Sequence, residues 1–140
     1  MELKEAIERR KSIRQYRPDP VPEDVLDGIL ERARRAPSAG GLRAYRAVVT
    51  RARLTRYEAP ASVVVCALPE RSGERYGDRG RGLYAVQDAT IYAAYVQLLA
   101  TDAGLDTCWV GAFHEYRVKQ ALGLGEDERP VAVLTVGYAA

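Results

Sequence analysis

A run of basic residues near the start of the chain has the residue types that bind phosphate. Residues 9–14 contain four cations and one hydroxyl, that of Ser12. In an extended chain, side chains alternate with a period of two, so Arg10, Ser12 and Arg14 would project from one side, with Lys11 beside them. Two guanidinium groups and a hydroxyl donor suit a phosphate. The same cations would also interact favourably with the end of a preceding helix dipole, so this second interpretation stays open.

A turn of small residues follows further along the chain. Pro37, Ser38, Ala39 and Gly40 are compact enough to let a flat ligand approach the backbone closely. Together, the two runs suggest a phosphorylated, planar cofactor. Taken alone, the second run is typical of an ordinary loop, because Pro, Ser and Gly are common there.

Few other residues could carry out chemistry. His114 is the only histidine, and it could act as a general acid or lie on the surface at the start of a helix. Cys66 and Cys108 lack CxxC spacing and are predicted to be reduced core residues. We expect no metal site, because one histidine and two separated cysteines do not make a ligand set. The sequence contains neither a GxGxxG dinucleotide motif nor a P-loop.

The composition is that of a single globular domain spanning residues 1–140. The chain is 47% hydrophobic and 29% charged, and no secretory signal opens it, so we expect a cytoplasmic protein with no membrane partner. Positive charge is concentrated early: residues 1–56 carry fourteen cations and eight acids, whereas residues 57–140 carry seven and eleven. We expect no nucleic-acid partner, because no nucleic-acid-binding module is recognisable and a pocket for a small anion explains the asymmetry at least as well.

The apolar patterns predict several helices and strands. Helices are predicted over residues 2–10, from 22 to before 37, over 83–103 and over 116–122, and strands over 44–50, 61–67 and 130–138. The continuous apolar run over 62–66 predicts a central strand. The Gly- and Arg-rich segment 73–82 is predicted to be a mobile loop, although its arginines could also contact phosphate.

The predicted helix over residues 83–103 is apolar nearly all round. Gln87, Asp88 and Gln97 interrupt it, which argues against a membrane span. A helix of this kind is buried on more than one side. In a domain of this size, a second copy of the chain is one way to cover every face, so we expect a homodimer centred on this helix.

The order of these segments resembles the FMN-dependent nitroreductase family. The matching motifs are residues 10–16, 36–40, 104–113, 121–124 and 130–138, and they span nearly the whole chain. The resemblance implies an α+β homodimer with a central, mostly antiparallel sheet flanked by helices. The long buried helix would lie at the dimer interface, with two FMN molecules bound there.

The resemblance also implies roles for individual residues. Positions that match the family's phosphate and ribityl contacts are Arg10, Ser12 and Arg14, with Lys11 beside them. Positions that match the turn packed on the flavin ring from the partner subunit are Pro37, Ser38 and Ala39, followed by Gly40. Val110 and Gly111 match positions whose backbone N–H groups face flavin N5 and O4. These two are the predicted catalytic positions, since fixed donors there tune the flavin without a titrating side chain.

The activity implied by the resemblance is a ping-pong oxidoreductase. NADH or NADPH would pass hydride to flavin N5, and a small acceptor such as a nitroaromatic, a quinone or an enone would take the electrons at the same face. Trp109 could line that face or belong to the core. Residues 75–80 and 38–42 also resemble a branch of the superfamily that oxidises peptide azolines to azoles, which is one alternative. A flavin-binding protein without turnover is another, suggested by the short segment between residues 50 and 61.

Overall fold

The computed structural model describes residues 1–140 as one sheet with helices on both faces. The helices are α1 (Leu3–Arg9), α2 (Glu23–Ala33), α3 (Pro69–Arg79), α4 (Ala85–Asp102) and α5 (Glu115–Leu122). The strands are β1 (Tyr45–Thr50), β2 (Ala61–Ala67), β3 (Asp106–Val110) and β4 (Arg129–Gly137). This arrangement confirms the predicted α+β class.

The sheet has the strand order β1-β2-β4-β3, and each neighbouring pair is antiparallel. At the outer edge of β3, Ser12 forms an isolated parallel bridge with Thr107. The N-terminal segment therefore adds one short parallel pairing to the β3 edge of the sheet. The mostly antiparallel sheet that the family resemblance implies is confirmed.

Strand β2 is the centre of the protein, since all seven of its residues are buried. Its side chains alternate between the two faces of the sheet. Val63 and Val65 belong to the larger core beneath α2 and α4, whereas Val64 and Cys66 belong to a smaller core on the opposite face. The prediction of a central strand over 61–67 is confirmed.

Both cysteines are free and buried in the smaller core, which also contains Val118 of α5. Burial raises the pKa of the Cys66 thiol to about 12. The thiol therefore stays neutral near pH 7 and is a poor nucleophile, because thiolate is the reactive form. Cys66 acts as a small apolar core residue, as predicted.

Helix α4 crosses the sheet and buries eight of its own residues, yet one side stays open. Ala94 and Tyr95 are exposed on it. Leu3 and Ile7 are exposed on α1, which packs beside α4. A single chain thus covers only part of the apolar helix, and the expected homodimer stays a prediction. None of the helices has the length and apolar character needed to cross a membrane.

The prediction of a loop over residues 73–82 is wrong. Helix α3 reaches Arg79, and a π-helical turn over Gly80–Tyr84 leads directly into α4. Close backbone packing explains the helical structure, because a Cβ placed at Gly80 would lie only 2.7 Å from the Ser72 carbonyl oxygen. Arg81 also ties the segment together, donating to Glu70 at 2.8 Å and to Asp78 at 3.1 Å. The pattern of apolar residues in the sequence does not reveal these contacts.

Candidate functional site

The basic segment (residues 10–14) runs along the outer edge of β3. The backbone N–H of Ile13 donates to the Thr107 carbonyl at 3.0 Å, which pairs the middle of the segment with the strand. Arg10, Lys11 and Arg14 have no carboxylate within 4.0 Å. Their charge is therefore uncompensated within the chain, and an anion at this edge would find free donors.

Val110 and Gly111 lie at the end of β3, on the same edge of the sheet as the basic segment. The parallel bridge between Ser12 and Thr107 joins the basic segment to the first half of β3, and the Arg14 guanidinium lies 5.8 Å from the centre of the Tyr57 ring. Gly111 is exposed, and a Cβ placed on it would have no other atom within 4 Å. The space beside its backbone is open to a ligand. The structure thus places the predicted phosphate contacts and the predicted backbone donors along the same edge strand, at different points of its length.

Two further candidate residues, Trp109 and His114, lie in environments that do not indicate a chemical role. Trp109 is half-buried and packs against the larger core. His114 is exposed at the N-cap position of α5, and its side chain makes no capping hydrogen bond. Neither residue is placed by a hydrogen bond for proton transfer.

The small-residue turn (residues 37–41) lies at the opposite edge of the sheet, just before β1. Gly40 and Gly41 have φ values of 60° and 67°, and Arg43 has φ 50°. A left-handed conformation is uncommon for a non-glycine residue, and such strain is concentrated at functional sites. The Ser38 hydroxyl accepts a hydrogen bond from the Arg43 backbone at 3.0 Å, which stabilises this shape.

One chain does not bring the small-residue turn and the basic segment together. Four strand spacings separate β1 from the basic segment, which is about 19 Å at the usual spacing. The two predicted binding runs therefore do not form one pocket within a single chain.

Sequence reasoning missed the residues that position these two parts. Asp88 is buried at 2% exposure, and its carboxylate accepts hydrogen bonds from the backbone N–H groups of Ala39 at 3.0 Å and Ala44 at 3.4 Å. Gln97, also on α4, donates to the buried Thr107 hydroxyl at 3.0 Å. The signal was present, since both are polar residues in an apolar helix, but their partners are distant in sequence. Helix α4 thus holds the turn at one end and the basic edge at the other.

The residues present fit a phosphorylated, planar cofactor such as FMN. Free guanidinium groups suit the phosphate, and the backbone at Gly111 is open to the approach of a planar ring. The chain has no group of three or more His, Cys, Asp or Glu side chains placed to hold a metal ion.

Comparison with protein families gives a match over nearly the whole chain. The model of the Nitroreductase family matches residues 7–62 and 55–138. A protein of Methanothermobacter thermautotrophicus, provisionally named an NADH dehydrogenase/NAD(P)H nitroreductase, is 31% identical over 157 aligned positions, covering 100% of this chain and 78% of the relative. An NADH dehydrogenase of Thermus thermophilus is 55% identical over 51 positions, which cover 36% of this chain and 25% of the relative.

Solved structures with the same fold cover all or nearly all of the chain. A nitroreductase family protein from Clostridium novyi superposes with a TM-score of 0.87 at 28% identity, covering 100% of this chain and 86% of that one. A Clostridium difficile protein named an FMN-dependent nitroreductase superposes with a TM-score of 0.80 at 25% identity, covering 96% and 86%.

Proposed function

The chain belongs to the nitroreductase family, and on that premise we propose that it is an FMN-dependent oxidoreductase acting as a homodimer. NADH or NADPH is the electron donor, and a small nitroaromatic, quinone or enone is the acceptor. The similarity to relatives named for NADH dehydrogenase and NAD(P)H nitroreductase activity supports the donor. The similarity to a structure named an FMN-dependent nitroreductase supports the cofactor.

The observation that carries the proposal is the division of the site between the two edges of the sheet. The basic segment and Gly111 lie at the β3 edge, whereas the small-residue turn lies at the β1 edge. Two copies of the chain, joined through the open side of α4, would place the turn of one beside the basic segment of the other. Such a dimer would contain two equivalent sites, because a two-fold interface is self-complementary.

Each part of the site has a distinct role in this proposal. Arg10 and Arg14, with Ser12 and Lys11, bind the phosphate through uncompensated donors. Residues 37–40 of the partner copy cover the ring. When bound, FMN would accept hydride from the dihydronicotinamide and pass the electrons to the acceptor. Val110 and Gly111 supply fixed backbone dipoles at the end of β3, which stabilise developing negative charge with no reorganisation.

Anaerobic titration of the FMN-loaded protein with NADH and NADPH tests the proposal. We expect loss of the yellow absorbance on reduction and its recovery when a quinone or nitroaromatic is added. FMN uptake without bleaching by either donor would favour a flavin-binding protein without turnover. Bleaching by a peptide azoline, with none by NADH or NADPH, would favour the azoline-oxidising alternative.

Substitution of Gly111 tests where the reaction takes place. Gly111→Val fills the open space beside the strand end, so it should lower FMN occupancy or slow reduction sharply, because reacting atoms must approach within about 3–3.5 Å. His114→Ala is the control, since the exposed imidazole should change the rate only a few-fold. Stopped-flow reduction across pH compares the two. A large, pH-linked loss in His114→Ala with normal reduction in Gly111→Val would contradict the assignment.

A further inference from the structure

Helix α3 and the π-helical turn form an arm that packs against the small-residue turn. At Gly40, a Cβ would lie 2.5 Å from the Tyr76 hydroxyl oxygen and 2.8 Å from an Arg75 guanidinium nitrogen. Arg71, on the same helix, donates to the Leu42 carbonyl at 2.5 Å. Arg75 and Tyr76 therefore belong to the same surface as the turn that is proposed to cover the cofactor.

Two arginines of this arm carry uncompensated charge. Arg81 is neutralised by Glu70 and Asp78, but Arg75 and Arg79 have no carboxylate within 4.0 Å. Both are exposed. The arm thus presents two free guanidinium groups at the border of the site.

Aromatic contacts hold these guanidinium groups in place. Arg75 lies over the ring of Tyr76 at 5.4 Å and Arg79 over the ring of Tyr84 at 5.6 Å, within the range of cation–π attraction. Arg79 also donates to the Tyr84 hydroxyl at 3.2 Å. The two tyrosine rings meet edge to face at 5.1 Å. The four side chains form a continuous layer, so each cation is positioned while keeping free N–H groups.

The backbone is shaped to build this layer. Gly77 interrupts α3 with φ 62° and ψ −144°, a conformation that other residues avoid. This bend follows Tyr76 directly and lets the chain fold back, so that Tyr84 reaches Tyr76. Close packing of Gly80 on Ser72 then fixes the arm. The two guanidinium groups are therefore carried by a packed helical segment and not by a flexible loop.

We propose that Arg75, Tyr76 and Arg79 form a second oxyanion site beside the small-residue turn, which binds the phosphate or carboxylate of a redox substrate. Guanidinium groups recognise these planar or branched oxyanions through paired N–H donors, and the Tyr76 hydroxyl adds a further donor. This inference rests on the proposed oxidoreductase function, because it assigns the oxyanion to a molecule that reacts at the cofactor. The oxyanion is the pyrophosphate of the dihydronicotinamide donor or the carboxylate of an acidic acceptor.

Matched substrate pairs test the proposal and identify the source of the oxyanion. NADH is compared with 1-benzyl-1,4-dihydronicotinamide, which lacks phosphate, and 4-nitrobenzoate with 4-nitrobenzamide, which lacks charge. In the FMN-loaded protein, Arg75→Ala and Arg79→Ala should each raise KM for the charged member of one pair about tenfold, the size of one charge-assisted hydrogen bond. The neutral member should change less than twofold. Arg75→Lys should recover part of the loss.

The control is Arg51→Ala, at the far end of β1, where the arginine is exposed and only 3.8 Å from Glu23. Calorimetric titration with ADP-ribose and with 4-nitrobenzoate measures oxyanion binding without turnover. Weaker binding of either compound by Arg75→Ala, with unchanged binding by Arg51→Ala, would support the site. Equal losses for charged and neutral substrates, no loss for any, or no oxyanion binding by the unaltered protein would overturn it. Failure of both donors to reduce the unaltered protein would instead refute the proposed function, while the calorimetry would still report on the site.

Discussion

Replacement of Asp88 by alanine is expected to lower the free energy of unfolding by about 3 kcal/mol. The carboxylate accepts one hydrogen bond of good length, 3.0 Å from Ala39, and a longer one of 3.4 Å from Ala44. A hydrogen bond to a charged group contributes about 1.5–3 kcal/mol, and the longer one lies at the lower end. Ala44 is fully buried, so its N–H would find no water to replace the carboxylate. For a chain of this length, such a loss corresponds to a fall in Tm of about 10 °C.

The conservative variant separates the two hydrogen bonds. Asp88→Asn keeps a carbonyl oxygen for one N–H but turns an amide donor toward the other. We expect a loss between that of alanine and zero, together with faster amide hydrogen exchange at Ala39 or Ala44. Because the small-residue turn would lose its fixed shape, FMN affinity should fall in both variants even at temperatures where they are folded.

A matched control exists on the same helix. Asp102 lies at the end of α4, is 43% exposed, and pairs with the N-terminal amine at 3.3 Å. Exposed pairs of this kind contribute at most about 1 kcal/mol. Chemical denaturation, hydrogen exchange and FMN titration of Asp88→Ala and Asp102→Ala are compared. If both variants lose the same small amount of stability and bind FMN equally, Asp88 does not hold the turn.

Three further outcomes are expected. Arg14→Ala should weaken FMN binding roughly ten- to a hundred-fold, measured by fluorescence titration, with little change in Arg51→Ala; equal affinities in both would exclude the phosphate role. Ala94→Glu places a charge on the open side of α4, where Ala94 is already exposed in the single chain. Sedimentation should therefore show a folded monomer that has lost FMN, and a dimer of normal stability would contradict the proposed interface. Burial raises the pKa of Tyr16 to about 12, above the value of about 10 for a free phenol, so the stability it contributes is complete below about pH 10 and is lost as the pH rises to about 12. Urea unfolding across this range should show a shallower decline in Tyr16→Phe than in Tyr116→Phe, in which an exposed hydroxyl is removed; identical profiles would show that Tyr16 does not contribute.

Local sequence patterns were enough to predict most of the helices and strands and to identify two candidate binding runs, and the order of the motifs implied the class of fold. The continuous apolar run over 62–66 predicted a central strand, because a strand that is apolar on both faces must be buried on both faces. The basic segment was recognisable because alternation along an extended chain groups its donors, whatever the rest of the fold does. The long apolar helix was predicted from composition alone, and its hydrophobic sides needed several partners.

Contacts between residues distant in sequence were decided only by the tertiary structure. Asp88 interrupts an apolar helix, and nothing within one turn of it reveals that it binds Ala39 and Ala44. The helix over 69–79 was missed because it buries almost no apolar side chain and depends on Gly80 packing against Ser72 after the chain turns back. The separation of the basic segment from the small-residue turn follows from strand order, which hydrogen bonding between non-consecutive strands sets. Sequence patterns report which surfaces must be buried, whereas pairing across the sheet determines which functional groups meet.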